Sequence, residues 1–250
     1  MRGLVAAVSF LTVAPVPAGF APGREDLARA APWFPVAGLL IGAALAAVDM
    51  LAMTVAPLAP SAVVTVIAMS LVSGGLHLDG LADTADGMLS RAPRERVIGI
   101  MKDSRSGPMG VFAVAGTLML KAAALFSLAP EGRMAAVFLA ALAGRCAMAA
   151  ALNLGTDARG PEGLGAALRA RASSMTAAWV FGVLAAAGWL AAGMAGVWVA
   201  LAAAMVTALL GFLAHRIIGG WTGDVYGALC ELVEAMALLV MAMFVTGGLR

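Results

Sequence analysis

Residues 196–216 read GVWVALAAAMVTALLGFLAHR, with no Asp, Glu, Lys or Arg before the final Arg216. A helix rises 1.5 Å per residue, so about 20 apolar residues cross the hydrocarbon core of a bilayer. In water such a stretch would have to be hidden on every face. The same reading extends outward to residues 33–55, 61–76, 109–129, 134–153, 175–194 and 229–247, seven candidate spans in all. The run 61–76 is the shortest, so it either tilts little or continues into the charged segment beyond residue 76.

Composition agrees with that reading. Hydrophobic residues make up 62% of the 250 and charged residues only 12%, about half the share usual in soluble domains. So little polar material cannot cover a water-soluble globule, and a net charge of +2 spread among apolar runs leaves no nucleic-acid footprint. With one Tyr and nine Phe, the aromatic girdles of a membrane β-barrel are missing. The expected fold is all-α, a polytopic integral membrane helical bundle forming one domain over 1–250. Cys146 and Cys230 both lie in apolar runs and read as small hydrophobes. Residues 4–20 are apolar but interrupted by Pro15 and Pro17. That pattern favours an interfacial or re-entrant helix over a cleavable leader.

Seven spans divide the basic residues unevenly. Arg2, Arg24, Arg29, Arg91, Arg94, Arg96, Lys102, Arg105, Arg159, Arg169, Arg171 and Arg216 fall on one side, and only Arg133 and Arg250 on the other. The positive-inside rule places the first group in the cytoplasm.

Ten of the thirty charged residues lie within 76–108. A solvated loop would explain the composition, but not the spacing of Asp79, Asp83 and Asp86. Steps of four and three put their carboxylates on one helical face, where like charges repel. A hard cation resolves that repulsion. Mg²⁺ takes one or two carboxylates and completes its shell with water and substrate phosphate. Gly80 and Gly87 each follow an aspartate and leave room for a phosphate to approach the backbone. Lys102, Asp103 and Arg105 precede Gly107 and Gly110, a cationic, amide-rich stretch suited to phosphoryl oxygens. Metal, diphosphate and cation together are the apparatus of phosphoryl transfer.

A third patch, GGWTGDVYGALCELVE at 219–234, carries Asp224, Glu231 and Glu234 into the last apolar run. Carboxylates inside a span are costly and mark functional or paired positions, although Glu231 and Glu234 can also snorkel to an interface. Asp49, Lys121 and Arg145 pose the same question, and Arg145 is a natural partner for a buried carboxylate. His77 stands two residues before the acidic face as ligand, base or helix-start donor, with ligation disfavoured because Mg²⁺ prefers oxygen. His215 reads as a headgroup-facing residue.

At GGLHLDGLADTADG (74–87), IMKDSRSGPMG (100–110) and GGWTGDVYGA (219–228) the chain resembles the adenosylcobinamide-GDP ribazoletransferase, or cobalamin synthase, family. SFLTVAPVP (9–17) and FPVAGLLIG (34–42) also fit its pattern, so the resemblance runs almost end to end. Ala85 stands where that pattern commonly has cysteine, and Gly144 where it has serine. The resemblance implies a Mg²⁺-dependent enzyme of the bacterial or archaeal cytoplasmic membrane, acting late in cobalamin assembly. The 3′-hydroxyl of α-ribazole or its 5′-phosphate would attack the cobinamide-side phosphorus of adenosylcobinamide-GDP and release GMP. It implies Asp79, Asp83 and Asp86 as metal ligands. Lys102 and Arg105 would stabilise phosphoryl oxygens, and Asp103 or His77 would accept the proton. Asp224 would complete the metal shell or orient a nucleoside.

Two other readings fit less well. A CDP-alcohol phosphatidyltransferase needs Ala-Arg after the second glycine, whereas Gly87 leads to Met88-Leu89-Ser90-Arg91. A cation-coupled transporter would use intramembrane Asp49, Glu231 and Glu234 and place its charges at the midplane, whereas most charges here are in loops.

Overall fold

A computed structural model describes residues 2–15, 22–103, 105–154, 156–159, 164–169 and 173–246. Arg171, Gly247 and Arg250 lie outside the described residues. The helices are α1 (Arg2–Leu11), α2 (Arg24–Ala28), α3 (Phe34–Val55), α4 (Leu58–Leu71), α5 (Leu76–Met88), α6 (Arg94–Ile100), α7 (Pro108–Ser127), α8 (Pro130–Ala151), α9 (Leu164–Arg169), α10 (Ser174–Ala192), α11 (Met194–Ile218) and α12 (Gly223–Thr246). Among the described residues there is no β-strand, only an isolated bridge between Asp157 and Trp221.

Among the described residues six segments are long and apolar enough to cross a membrane: Ala31–Val55, α7, α8, α10, α11 and α12. The remaining expected span, 61–76, is different. α4 has 14 residues, about 21 Å of helix against a hydrocarbon core of about 30 Å. The chain then turns 86° into α5. Gly74 and Gly75 make the turn at φ 64° and 80°, a left-handed backbone that side chains disfavour. Val13 braces the break, its N–H donating to the Val72 carbonyl at 2.9 Å. The last span also begins earlier than 229, because Gly223 and Asp224 already belong to α12. The N-terminal segment forms α1, which buries Ala6, Ala7 and Leu11.

α8 is the central helix and is buried on nearly every face. Its alanines and glycines let neighbours approach closely, the usual route to helix association where lipid removes the hydrophobic drive. A methyl group on Gly42 of α3 would stand 2.7 Å from the Phe138 carbonyl, and one on Gly144 would stand 2.8 Å from Cys230 Sγ.

The charges inside the bundle fall into two buried groups. Arg133 donates to both carboxylate oxygens of Asp49, to Ser61 Oγ at 3.1 Å and to the Leu58 carbonyl at 3.2 Å. Thr65 Oγ1 donates to the same aspartate at 2.7 Å, so α3, α4 and α8 are joined. Arg133 is therefore a buried partner and not a loop charge, so it drops out of the loop count that the sequence suggests. In the second group Lys121 Nζ donates to Glu231 Oε2 and Glu234 Oε2, each at 2.6 Å, and Arg145 donates to Glu234 Oε1. Glu231 and Glu234 are thus buried between cations and not snorkelling.

α7 starts on a tertiary cap. Asp86 of α5 accepts from the Gly107 and Gly110 amides at 2.6 and 2.8 Å, which satisfies two donors of the exposed first turn.

Asp49 and Asp86 differ in what their loss costs. Asp49→Ala leaves Arg133 buried without its counter-charge and costs about 3–5 kcal/mol, read as a lower thermal unfolding midpoint in detergent, while Asp49→Leu with Arg133→Met recovers most of the loss. Asp86→Ala removes the α7 cap and costs about 1–2 kcal/mol in the same measurement, with backbone hydrogen exchange rising at Gly110.

Candidate functional site

α5 carries Asp79, Asp83 and Asp86 as the spacing predicts, with all three partly accessible to solvent. α12 supplies Asp224 beside them. Gly80 is the contact between the two helices, since a methyl group there would sit 2.6 Å from the Asp224 carbonyl oxygen. Gly227 answers from α12, its missing side chain facing His77 Cα at 3.2 Å. Asp83 stands in the repulsive field of Asp79, Asp224 and Asp86, opposed by the positive charge of Arg159.

The four carboxylates are in different states. Among the described residues, no protein hydrogen bond reaches the carboxylates of Asp79 or Asp83. Asp86 is engaged by α7, and Asp224 accepts from Arg159 Nη2 at 2.5 Å and from Thr222 Oγ1 at 3.3 Å. Among the described residues no three acidic, thiol or imidazole groups converge as a ready metal shell. Two free carboxylates with a third held on a cation nevertheless fit Mg²⁺, which draws most of its ligands from water and substrate.

The expected phosphate clefts at the glycines are filled by protein. Gly80 is closed by α12, Gly87 by the Met101 side chain and the Val97 carbonyl, and Gly107 and Gly110 by the Asp86 carboxylate. Each glycine permits close packing around the acidic helix; none opens a channel to it.

The second motif is also arranged differently. Arg105 folds back on Asp103, Nε to Oδ1 at 3.0 Å and Nη2 to Oδ2 at 2.7 Å, with the guanidinium largely in solvent. That fork and the Arg105 amide hold the Asp103 carboxyl down at about 2. Lys102 is exposed, and no ion pair joins it or Arg105 to the acidic face among the described residues. His77 is two residues from Asp79 and so points the other way. It is buried in the field of Arg145, Glu234 and Lys121, and its Nε2 has no hydrogen-bond partner among the described residues. It does not share the carboxylate face.

Among the described residues the cation that does reach the face, paired with Asp224, is Arg159, which by sequence counts only as a loop charge. Its segment is strapped to the turn before α12. Trp221 N–H donates to the Thr156 carbonyl and Ala158 N–H to the Trp221 carbonyl, both at 2.8 Å, while Asp157 Oδ1 accepts from the Arg159 amide at 2.8 Å. The aromatic residues of the third motif are structural, Trp221 and Tyr226 stacking at 5.2 Å within the core. The available signal was an aspartate two residues before an arginine in TDAR (156–159), a pattern suited to a turn that aims a guanidinium.

Comparison with known proteins gives one consistent result. A family model described as cobalamin-5-phosphate synthase matches residues 3–242. Relatives bearing the name adenosylcobinamide-GDP ribazoletransferase include one from Geotalea daltonii, 35% identical over 96% of this chain and 97% of its own length. Another, from Roseiflexus sp., is 42% identical over 95% of this chain and 88% of its own. A third, from Pseudomonas putida strain GB-1, is 41% identical over 97% and 99%. No solved structure matches the chain. End-to-end agreement with the family model and with these relatives shows that the chain is a member of the cobalamin-5-phosphate synthase family.

Proposed function

We propose that the chain is an adenosylcobinamide-GDP ribazoletransferase working at the cytoplasmic end of the bundle. The observation that carries this reading beyond family membership is the pair of carboxylates, Asp79 and Asp83, without a protein donor among the described residues and facing Asp224 at the end where α7 and α12 begin. The basic loop residues gather at that end, which supports its cytoplasmic placement.

The reaction exchanges the phosphoanhydride link of the diphosphate for a phosphodiester. The 3′-hydroxyl of α-ribazole or its 5′-phosphate attacks the cobinamide-side phosphorus, the bond from that phosphorus to the bridging oxygen breaks, and GMP leaves with the bridging oxygen. The hydroxyl proton passes to a base or to solvent. Mg²⁺ bound at the acidic face would neutralise charge on the diphosphate as GMP departs. Asp79, Asp83 and Asp224 are the residues that would hold it, with Asp86 fixing α5 against the start of α7. Lys102 and Arg105 lie on the segment between α6 and α7 and would meet phosphoryl oxygens once Arg105 leaves Asp103. While Arg105 stays closed on it, Asp103 is held at about 2 and is a weak base at neutral pH, and His77 is on the far face. Neither is placed to take the proton in this arrangement.

The test uses membranes containing the chain, supplied with adenosylcobinamide-GDP and α-ribazole 5′-phosphate. GMP and a cobalamin product form together, and a chelator stops both until Mg²⁺ is restored. Asp83→Asn lowers turnover by about 10²–10³-fold at unchanged protein level. Product without Mg²⁺, or near-normal activity in Asp83→Asn, would refute the metal face.

A further inference from the structure

We infer that Arg159 is the resident counter-cation of the acidic face and a further arginine that receives the substrate diphosphate. The inference rests on the ribazoletransferase reading above and adds a residue to it. Asp79, Asp86 and Asp224 all act electrostatically on Asp83, and the positive charge that acts on both Asp224 and Asp83 comes from Arg159. The two cations that the second motif offers are elsewhere, one closed on Asp103 and the other in solvent.

The guanidinium is only partly used. Nη2 donates to Asp224 at 2.5 Å and makes a long contact, 3.4 Å, with the Met101 carbonyl. Nε is shielded from solvent and has no partner among the described residues. An arginine presents five N–H groups in a planar fork that matches two phosphate oxygens at once. Here one arm is spent on a carboxylate while the Nε edge has no acceptor. A diphosphate oxygen supplies that missing acceptor, and an arginine engaged on one arm can pivot to take it.

The mount favours such a pivot. The backbone of 156–159 is tied to the Trp221 turn by paired amides and to Asp157 by its own side chain. Gly220 permits the approach, because a methyl group there would meet the Thr156 main chain. The Arg159 backbone is thereby anchored at the start of α12, and only its side chain needs to move. Without substrate, Arg159 holds Asp224 and offsets repulsion at Asp83. A divalent cation arriving alone must compete with that charge. A cation arriving with a diphosphate gives Arg159 a better partner, releasing Asp224. Metal and substrate are then expected to bind cooperatively through this one side chain.

The experiment titrates Mn²⁺ into the purified full-length protein in nanodiscs without substrate, following free Mn²⁺ by electron paramagnetic resonance. Arg159→Gln binds Mn²⁺ alone on the order of tenfold more tightly than wild type, because a nearby positive charge has gone. Its KM for adenosylcobinamide-GDP rises at least about tenfold, the loss of one charge-assisted contact. Arg159→Lys keeps the charge, so it returns Mn²⁺ affinity to the wild-type value while the KM stays raised, since an ammonium lacks the fork. Equal Mn²⁺ affinity in wild type and Arg159→Gln, or an unchanged KM in either active variant, overturns the inference. Thermal unfolding in the same nanodiscs identifies a variant that has lost its fold. Wild-type protein without transferase activity would instead refute the function, and the Mn²⁺ comparison would still decide whether Arg159 is the counter-cation.

Discussion

Everything near the acidic face depends on α12 being held at one depth and one rotation, and buried ion pairing sets both. Lipid offers no hydrogen-bond partner, so a helix carrying two glutamates in its apolar body must find cations from its neighbours. Lys121 from α7 and Arg145 from α8 meet Glu231 and Glu234. A register slip of one residue on α12 would strand a carboxylate in hydrocarbon. With α12 fixed, Asp224 emerges at its first turn, Gly80 and Gly227 bring α5 into backbone contact, and the three aspartates of α5 take their places around it. The buried network thus serves the surface chemistry through helix placement, without touching it.

The parts legible in sequence are those that depend on local pattern. The run 196–216 falls within two residues of α11 at each end, and 109–129 matches α7 to a similar margin, because runs of apolar side chains report directly on immersion in lipid. The spacing of Asp79, Asp83 and Asp86 likewise survives as one face of a real helix. Pattern fails where backbone conformation overrules it: Gly74 and Gly75 break an apolar run that hydropathy alone carries through. Asp224 makes the start of α12 look like loop, although an acidic residue in a first turn is favourable to a helix.

The site's long-range partners are not legible in the same way. Asp86 meets amides 21 and 24 residues away, and Arg159 meets a carboxylate 65 residues away. Nothing in the local sequence encodes these meetings; they arise from helix packing. The glycines teach the complementary point. Beside an aspartate a glycine suggests room for a ligand, yet at 80, 87, 107 and 110 the room is taken by another helix, by the Met101 side chain or by the aspartate itself. The motif is rich in glycine because the acidic helix is tightly enclosed.

The two buried charge groups also have an electrical consequence. Arg133 with Asp49, and Lys121 and Arg145 with Glu231 and Glu234, each sum to zero when every member is ionised. A membrane voltage does work on an embedded charge of about 2.3 kcal/mol per elementary charge per 100 mV across the full field. Opposite charges at nearly the same depth cancel that work. An energised bilayer therefore leaves the bundle's conformational balance largely untouched, so that a transferase seated in it keeps the same geometry whether the cell's membrane is polarised or depolarised.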